Sequence, residues 1–517
     1  MTQPTATDAN RPIVVIGAGI GGLTTAALLA RRGRSVKVFD LAIVPGGCAS
    51  TFRRRGFTFE VGATQVAGLE PGGIHHRIFG ELGIELPAAT PCDPACAVFL
   101  PGETEPISVW RDPDRWRAER QRQFPGSEPF WRLLADLFRY SWEFQAGDPV
   151  LPPGNAWDVV QLLKAVKPST LLTAPHAFST VGDLLQRLGL AGDRRLKTFL
   201  DMQLKLYSQV GADETALLYA ATALGLSQEP FGLYHLEGSM QVLSDRLLES
   251  LTRDGGQLQM RHRVERIITE NGETTGVVVR NLKTDETWIE PAAAVVANVP
   301  IQNLIEMVDW PSDRPWFDRL ATDFYRSRAE KLPEPSGAFV VYLGVDRAAL
   351  PADCPPHLQF LYDWDGPVGE NNSLFVSVSR EGDGRAPASM ATITASSFVD
   401  SQPWYRCRDR AEYEALKTRY TEEAIGKLGR YFQLDPGAIV HCEAATPRTF
   451  EDFTGRKFGY VGGLGMRVST FGPFAIGNRT PVPGLWLVGD STHPGEGTAG
   501  TSYSALTTVR QMAAAGF

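Results

Sequence analysis

Ile13-Val-Val-Ile16, Gly17-Ala-Gly19-Ile-Gly21-Gly22 and Leu23-Thr-Thr-Ala-Ala-Leu-Leu-Ala30 follow one another without a break, and this stretch decides the fold. The β-branched run reads as a buried strand, the glycines as a tight turn, and the alanine- and leucine-rich run as a helix stopped near Gly33. Val36-Lys-Val-Phe-Asp40 reads as a second strand, so the chain opens with a βαβ unit. A GxGxxG turn between a strand and a helix is the context a dinucleotide requires. Gly17 makes the turn, Gly19 lets the backbone approach a pyrophosphate, and Gly22 lets the helix pack closely. The helix N-terminus offers free N–H groups and a positive dipole end. Asp40, at the end of the second strand, is placed to bond a ribose hydroxyl.

Working outward, Pro71 to Leu233 reads as amphipathic helices rich in tryptophan, broken at Leu151-Pro-Pro and Thr173-Ala-Pro175. Strand character returns from Gly255 to Pro300, with Asn271-Gly272 as a hairpin turn between Arg266–Thr269 and Thr275–Arg280. Gly337–Leu343, Ser373–Ser379 and Ala391–Thr394 read as strands of an antiparallel sheet, and Glu412–Phe432 as a core-packing helix. The fold class expected is therefore α/β. A Rossmann-type domain assembled from 1–75, 235–310 and 455–517 is joined to an α+β domain of sheet and helices over 76–234 and 311–454.

The 517 residues carry 51 basic and 59 acidic side chains, a formal charge of -8. That balance repels phosphate backbones and excludes nucleic acid as a natural partner. The six cysteines are scattered, and the one close pair, Cys92 and Cys96, lacks a second ligand pair, so no metal site is expected. The opening MTQPTATDANRP lacks a secretory pattern. Ile13 to Ala30 approaches membrane-span length but carries the glycine pattern above and ends at Arg31-Arg32. A cytoplasmic protein with unpaired thiols is expected.

Three further motifs carry a resemblance. Val44-Pro-Gly46-Gly47 is followed by Arg53-Arg-Arg55 and Phe59-Glu-Val-Gly62; Arg263-Val264-Glu-Arg-Ile267 precedes Ala294-Val-Val-Ala-Asn-Val-Pro300; and Gly484-Leu-Trp-Leu-Val-Gly489-Asp490-Ser-Thr-His-Pro-Gly495 closes the series. The chain resembles the glutathione-reductase-like flavoproteins, and over essentially its whole length the FAD-dependent phytoene desaturase and carotene isomerase family. The resemblance implies FAD as cofactor. It assigns cofactor contacts to Gly17, Gly19, Gly21, Gly22, Asp40, Gly46, Gly47, the backbone of Val264, Gly489, Asp490 on the ribityl chain, Gly497 and Thr498. Two departures stand out. Cys48 occupies the place of the usual basic residue after the glycine pair, a loss that a nearby arginine can offset, and Glu496 stands where the family often has glycine. That change either alters the flavin environment or leaves a solvated charge, and the second is favoured because charged loop residues are usually exposed.

Within the family, Leu200–Val210 and Asp213–Tyr219 look most like the cyanobacterial-type C-3',4' carotenoid desaturases, and His235-Leu-Glu-Gly-Ser-Met240 replaces a Gly-Gly-Met element with Ser239. The resemblance implies hydride transfer from an allylic C–H to flavin with loss of the neighbouring proton. Flavin and polyene carry that chemistry, so no catalytic dyad is required. His235 and His493 are candidate proton acceptors, although a histidine beside glycine or proline more often bonds backbone. A carotene cis-trans isomerase using reduced FAD, and a non-catalytic prenyl-lipid escort protein of the GDP-dissociation-inhibitor kind, are the alternatives on the same fold. Gly462-Gly-Leu-Gly465 lacks a following helix, so oxygen or a quinone is expected as electron acceptor rather than NAD(P). An apolar carotenoid substrate implies peripheral contact with a membrane, for which Trp157–Lys167 with Leu171 and Leu172 is the candidate segment.

Overall fold

The computed structural model describes residues 11–310 and 315–517. Most of the polar N-terminal stretch and the start of the 311–454 segment lie outside the described residues.

Five parallel strands form the cofactor sheet: β1 (Ile13–Ile16), β2 (Val36–Asp40), β3 (Gln257–Met260), β4 (Ala294–Ala297) and β5 (Leu485–Leu487). Their spatial order is β3-β2-β1-β4-β5, so segments from the start, middle and end of the chain meet in one layer. The strands β1, β4 and β5 are buried at every residue, which is why they read as continuous apolar runs rather than alternating ones. Three helices cover one face: α1 (Ile20–Arg31), α2 (Gln241–Arg253) and α3 (Gly497–Ala514). Residues 20–30 of α1 are all buried, and Leu23, Leu28, Leu247, Leu251, Val509 and Met512 share one core with the sheet. The expected hairpin forms as His262–Glu270 against Glu273–Asn281, with Asn271 and Gly272 in the left-handed region at the turn.

A seven-stranded sheet builds the second layer, in the order Ile439–Ala445, Gly337–Asp346, Met390–Val399, Ser373–Val378, His357–Leu361, Cys96–Phe99 and Ile107–Val109. It departs from expectation in two ways. The all-helical reading of Pro71–Leu233 misses its last two strands, because Cys96–Phe99 is a four-residue apolar run that periodicity cannot separate from helix. The sheet is also mixed, since His357–Leu361 pairs with Cys96–Phe99 in parallel. That strand explains the cysteine pair. Cys92 and Cys96 are both buried, and burial raises their thiols to about 11 and about 12. The expected helix over 412–432 runs from Arg410 to Leu428 and buries Leu428 against this sheet, with Phe432 packing just beyond its end.

Candidate functional site

The turn after β1 is shaped by what its glycines exclude. A Cβ on Gly22 would lie 1.9 Å from the Gly17 carbonyl oxygen, so helix and turn touch backbone to backbone. Gly17, at φ +91, faces the Asn298 carbonyl oxygen, 2.7 Å from where a Cβ would sit. Asn298 follows β4, and its side-chain amide also crowds the Cβ positions of Gly19 and Gly21, at 2.9 Å each, and of Gly489, at 2.8 Å. This one side chain therefore ties the N-terminal glycine turn to the C-terminal motif. The glycine pair joins from the side, where the Gly46 amide donates to the Ala18 carbonyl at 2.8 Å. Asp40 holds the same turn from below: Oδ2 accepts from the Ala18 amide at 2.6 Å and Oδ1 from the Ala42 amide at 2.7 Å. Burial pushes its carboxyl up, against those two amides.

The C-terminal motif arrives on β5. Gly489 has φ +114, and Asp490 follows at the sheet edge with Oδ2 accepting from Arg456 Nη2 at 2.7 Å. Gly463, at φ +70, packs beneath it, since a Cβ there would lie 2.3 Å from the Asp490 carbonyl oxygen. The Gly462–Gly465 stretch is thus a loop that supports Asp490 and forms no second nucleotide turn. Two helix N-termini, those of α1 and α3, line one cavity, and the α3 start carries no side-chain cap. Free first-turn N–H groups at both ends make the region receptive to negative charge.

That cavity has a volume of about 1410 Å³. Gly17, Gly19, Gly21, Asp40, Gly46, Gly47, Val264, Asp490, Gly497 and Thr498 all line it. Gly22 and Gly489 do not; they buttress the turns behind it. The residues fit a dinucleotide: a Cβ-free cradle, two open helix ends and an acid at the end of β2 lie along one continuous space. When bound, FAD supplies hydride-accepting chemistry there.

The structure places the remaining candidate residues. Arg53, Arg54 and Arg55 are exposed, with Arg54 paired to Glu443, so none of them replaces the missing base at Cys48. The cation near Cys48 is Arg456, from a distant segment that no local motif marks. Glu496 does not face solvent but lines the cavity, with Oε2 accepting from Gln209 Nε2 at 2.8 Å. His235 lies outside the cavity lining in a buried charge cluster, with Nε2 3.0 Å from Asp383 Oδ2 and 2.9 Å from Arg385 Nη1, while Arg385 also pairs with Glu60. His493 is likewise buried beside Gln145, and burial lowers its pKa to about 4. Neither histidine lines the cavity.

Residues 15–82 match the NAD(P)-binding Rossmann-like domain family. Along nearly its whole length the chain is similar to the chloroplastic prolycopene isomerase of Daucus carota, 27% identical over 97% of this chain and 80% of that protein. It is similar to the zeta-carotene-forming phytoene desaturase of Myxococcus xanthus, 25% identical over 98% of this chain and 95% of the other. Over nearly its whole length the chain is thus similar to the FAD-dependent phytoene desaturases and carotene isomerases. It is an FAD-dependent oxidoreductase. Solved structures of the same fold include an oxidoreductase from Methanosarcina mazei, with TM-score 0.61 at 18% identity, covering 96% of this chain and 100% of that one. A redesigned putrescine oxidase reaches TM-score 0.63 at 15% identity, covering 98% and 99%. The glycine turn and the Gly489-Asp490 pair are present here, and Cys48 follows the glycine pair with Arg456 as the nearby cation.

Proposed function

We propose that this enzyme desaturates a carotenoid, at the C-3',4' bond, with the ten expected positions that line the cavity holding FAD and with Gly22 and Gly489 supporting the turns behind them. In this reading the 1–75, 235–310 and 455–517 segments serve the cofactor and 76–234 with 311–454 serve the substrate. The observation that carries it is the size and two-sided wall of this cavity. Ligand pockets commonly measure about 300–1000 Å³; about 1410 Å³ leaves room for a second, elongated molecule beside the flavin. Beyond the glycine cradle the wall turns apolar, with Trp142, Leu206, Tyr207, Leu226, Leu233 and Phe375. The segments resembling C-3',4' desaturases contribute Leu206, Tyr207, Gln209 and Tyr219 to that wall, which supports the finer assignment. An apolar wall orients a polyene and excludes water around a charge that develops during hydride loss.

Expression in bacteria that make acyclic and monocyclic carotenoids tests this. A pigment lighter by two hydrogens is the expected result, and an unchanged mass with altered geometry supports the isomerase reading instead. The 27% identity to prolycopene isomerases is the observation that favours that second reading.

Membrane contact is part of the proposal. No helix among the described residues is long and apolar enough to cross a bilayer. The helix Ala156–Ala165 and the segment after it nevertheless expose Val160, Leu163, Leu171, Leu172 and Phe178, the last at 71%. A contiguous segment of this kind is unusual on a protein surface without a partner. It also adjoins the cavity, because Gly147, just past the helix Glu128–Gln145 that brings Trp142 to the cavity wall, packs against Ala165. Co-flotation with liposomes is expected. Replacing Leu163, Leu171 and Leu172 by aspartate should cut the bound fraction at least about 100-fold, since each buried leucine contributes about 1.5 kcal/mol or more. Unchanged flotation of that variant would contradict the assignment.

A further inference from the structure

We propose that Glu496 is the proton acceptor of the reaction, a role that rests on the polyene reading above. Its side chain forms part of the cavity wall at the start of α3, on the stretch that follows Asp490. One oxygen, Oε2, is held by Gln209 Nε2 at 2.8 Å. The other, Oε1, is screened from water and has no hydrogen-bond partner among the described residues. A buried oxygen left without a partner costs about 1–3 kcal/mol unless something else fills the role. The loop opposite is built to permit this pair: a Cβ on Gly462 would fall 2.1 Å from Gln209 Nε2 and 2.5 Å from Glu496 Oε2, at φ +71 where glycine is at ease. Gln209 is itself locked in a left-handed conformation, φ +66, with its carbonyl accepting from Lys205 Nζ at 2.8 Å.

The surrounding charges suit a base. Lys205, Asp490 and the buried Tyr219 face Glu496 from three separate elements, and Arg467, Glu214 and Glu370 stand around Lys205. Burial pushes the Glu496 carboxyl well up, with Asp490 adding to that and Gln209 and Lys205 opposing it. A carboxylate with a raised pKa is a stronger base once ionised, and catalysis is best when that pKa approaches the working pH. Bound FAD would supply the acceptor for the hydride of one allylic C–H, and oxygen or a quinone would then reoxidise it. The neighbouring C–H gives its proton to the Glu496 carboxylate, and the electron pair left behind becomes the new C=C bond. The proton leaves to water before the next turnover.

Glu496→Gln keeps the shape and the Gln209 contact and removes the base. With FAD content unchanged, kcat on the converted carotenoid should fall about 100-fold, at the low end of what a positioned acid–base group contributes. The rise of kcat with pH that wild type shows should vanish, and Glu496→Asp should restore part of both. A second readout needs no turnover. The folded-state pKa lies above the ordinary 4.5, so the stability linked to this group is complete below 4.5 and is lost as pH rises through the folded value. The melting temperature of the flavin-loaded Gln variant, relative to wild type, should therefore climb with pH. Active wild type with an equally active Gln variant and an unchanged pH profile overturns the inference alone. Wild type that converts no carotenoid overturns the substrate reading, and the inference with it.

Discussion

Protein carrying Gly22→Ala should purify without flavin. The added Cβ would lie 1.9 Å from the Gly17 carbonyl oxygen and 3.1 Å from Asn298 Nδ2, and neither can withdraw: Gly17 sits at φ +91 against the Asn298 backbone, and Asn298 is wedged among Gly19, Gly21 and Gly489. The α1 N-terminus must tilt off the turn, which displaces the amides available to a pyrophosphate. Overpacking of this kind costs about 1–3 kcal/mol in stability. Loss of the helix-end amides adds to the penalty in the bound state, so an FAD affinity at least about 100-fold weaker, roughly 3 kcal/mol, is expected. Gly80→Ala is the control, because nothing lies within 4 Å of its Cβ position and it sits in the helix Ile74–Leu82. It should retain FAD fully and gain slightly in stability. Titration of FAD-stripped protein, followed by flavin fluorescence, separates the two, and a Gly22→Ala variant that binds FAD as wild type does would contradict the packing account.

The second large effect is expected at Asp490. Its carboxylate is paired with Arg456 at 2.7 Å, with side-chain exposures of 16% and 14%. Removing one partner of a shielded pair leaves the other charge uncompensated, which costs about 3 kcal/mol. Asp490→Ala should therefore lower thermal stability and FAD affinity together. Asp490→Asn, which keeps a hydrogen-bond acceptor of the same shape, should retain more of the fold than of the affinity. Arg456→Lys should keep the charge but not the fixed geometry of the guanidinium, giving an intermediate result. Full FAD occupancy in Asp490→Ala would remove Asp490 from the cofactor site.

The parts of the site legible in sequence are those that repeat a local rule. A β-branched strand, a glycine turn and an alanine-rich helix must follow one another for the backbone to meet a pyrophosphate, so Gly17 to Gly22 could be read directly. The Asn271-Gly272 turn was equally plain, since it needs positive φ at both central residues. What stayed hidden depends on contacts distant in sequence. Arg456 reaches Asp490 across 34 residues and Gln209 reaches Glu496 across 287, and nothing local announces either pair. The general exposure of charged loop residues favours solvent for Glu496, and the Gly462 loop that makes room for it carries no recognisable pattern. The strand Cys96–Phe99 stays hidden because four apolar residues give no period to measure.

Crystallographic density of the flavin-loaded protein addresses the central claim most directly. One FAD is expected with its phosphates over the N-terminus of α1, between Gly17 and Gly22, and its ribityl chain within hydrogen-bonding reach of Asp490. Flavin density confined to one of those two places, or lying outside the cavity that joins them, would contradict the account.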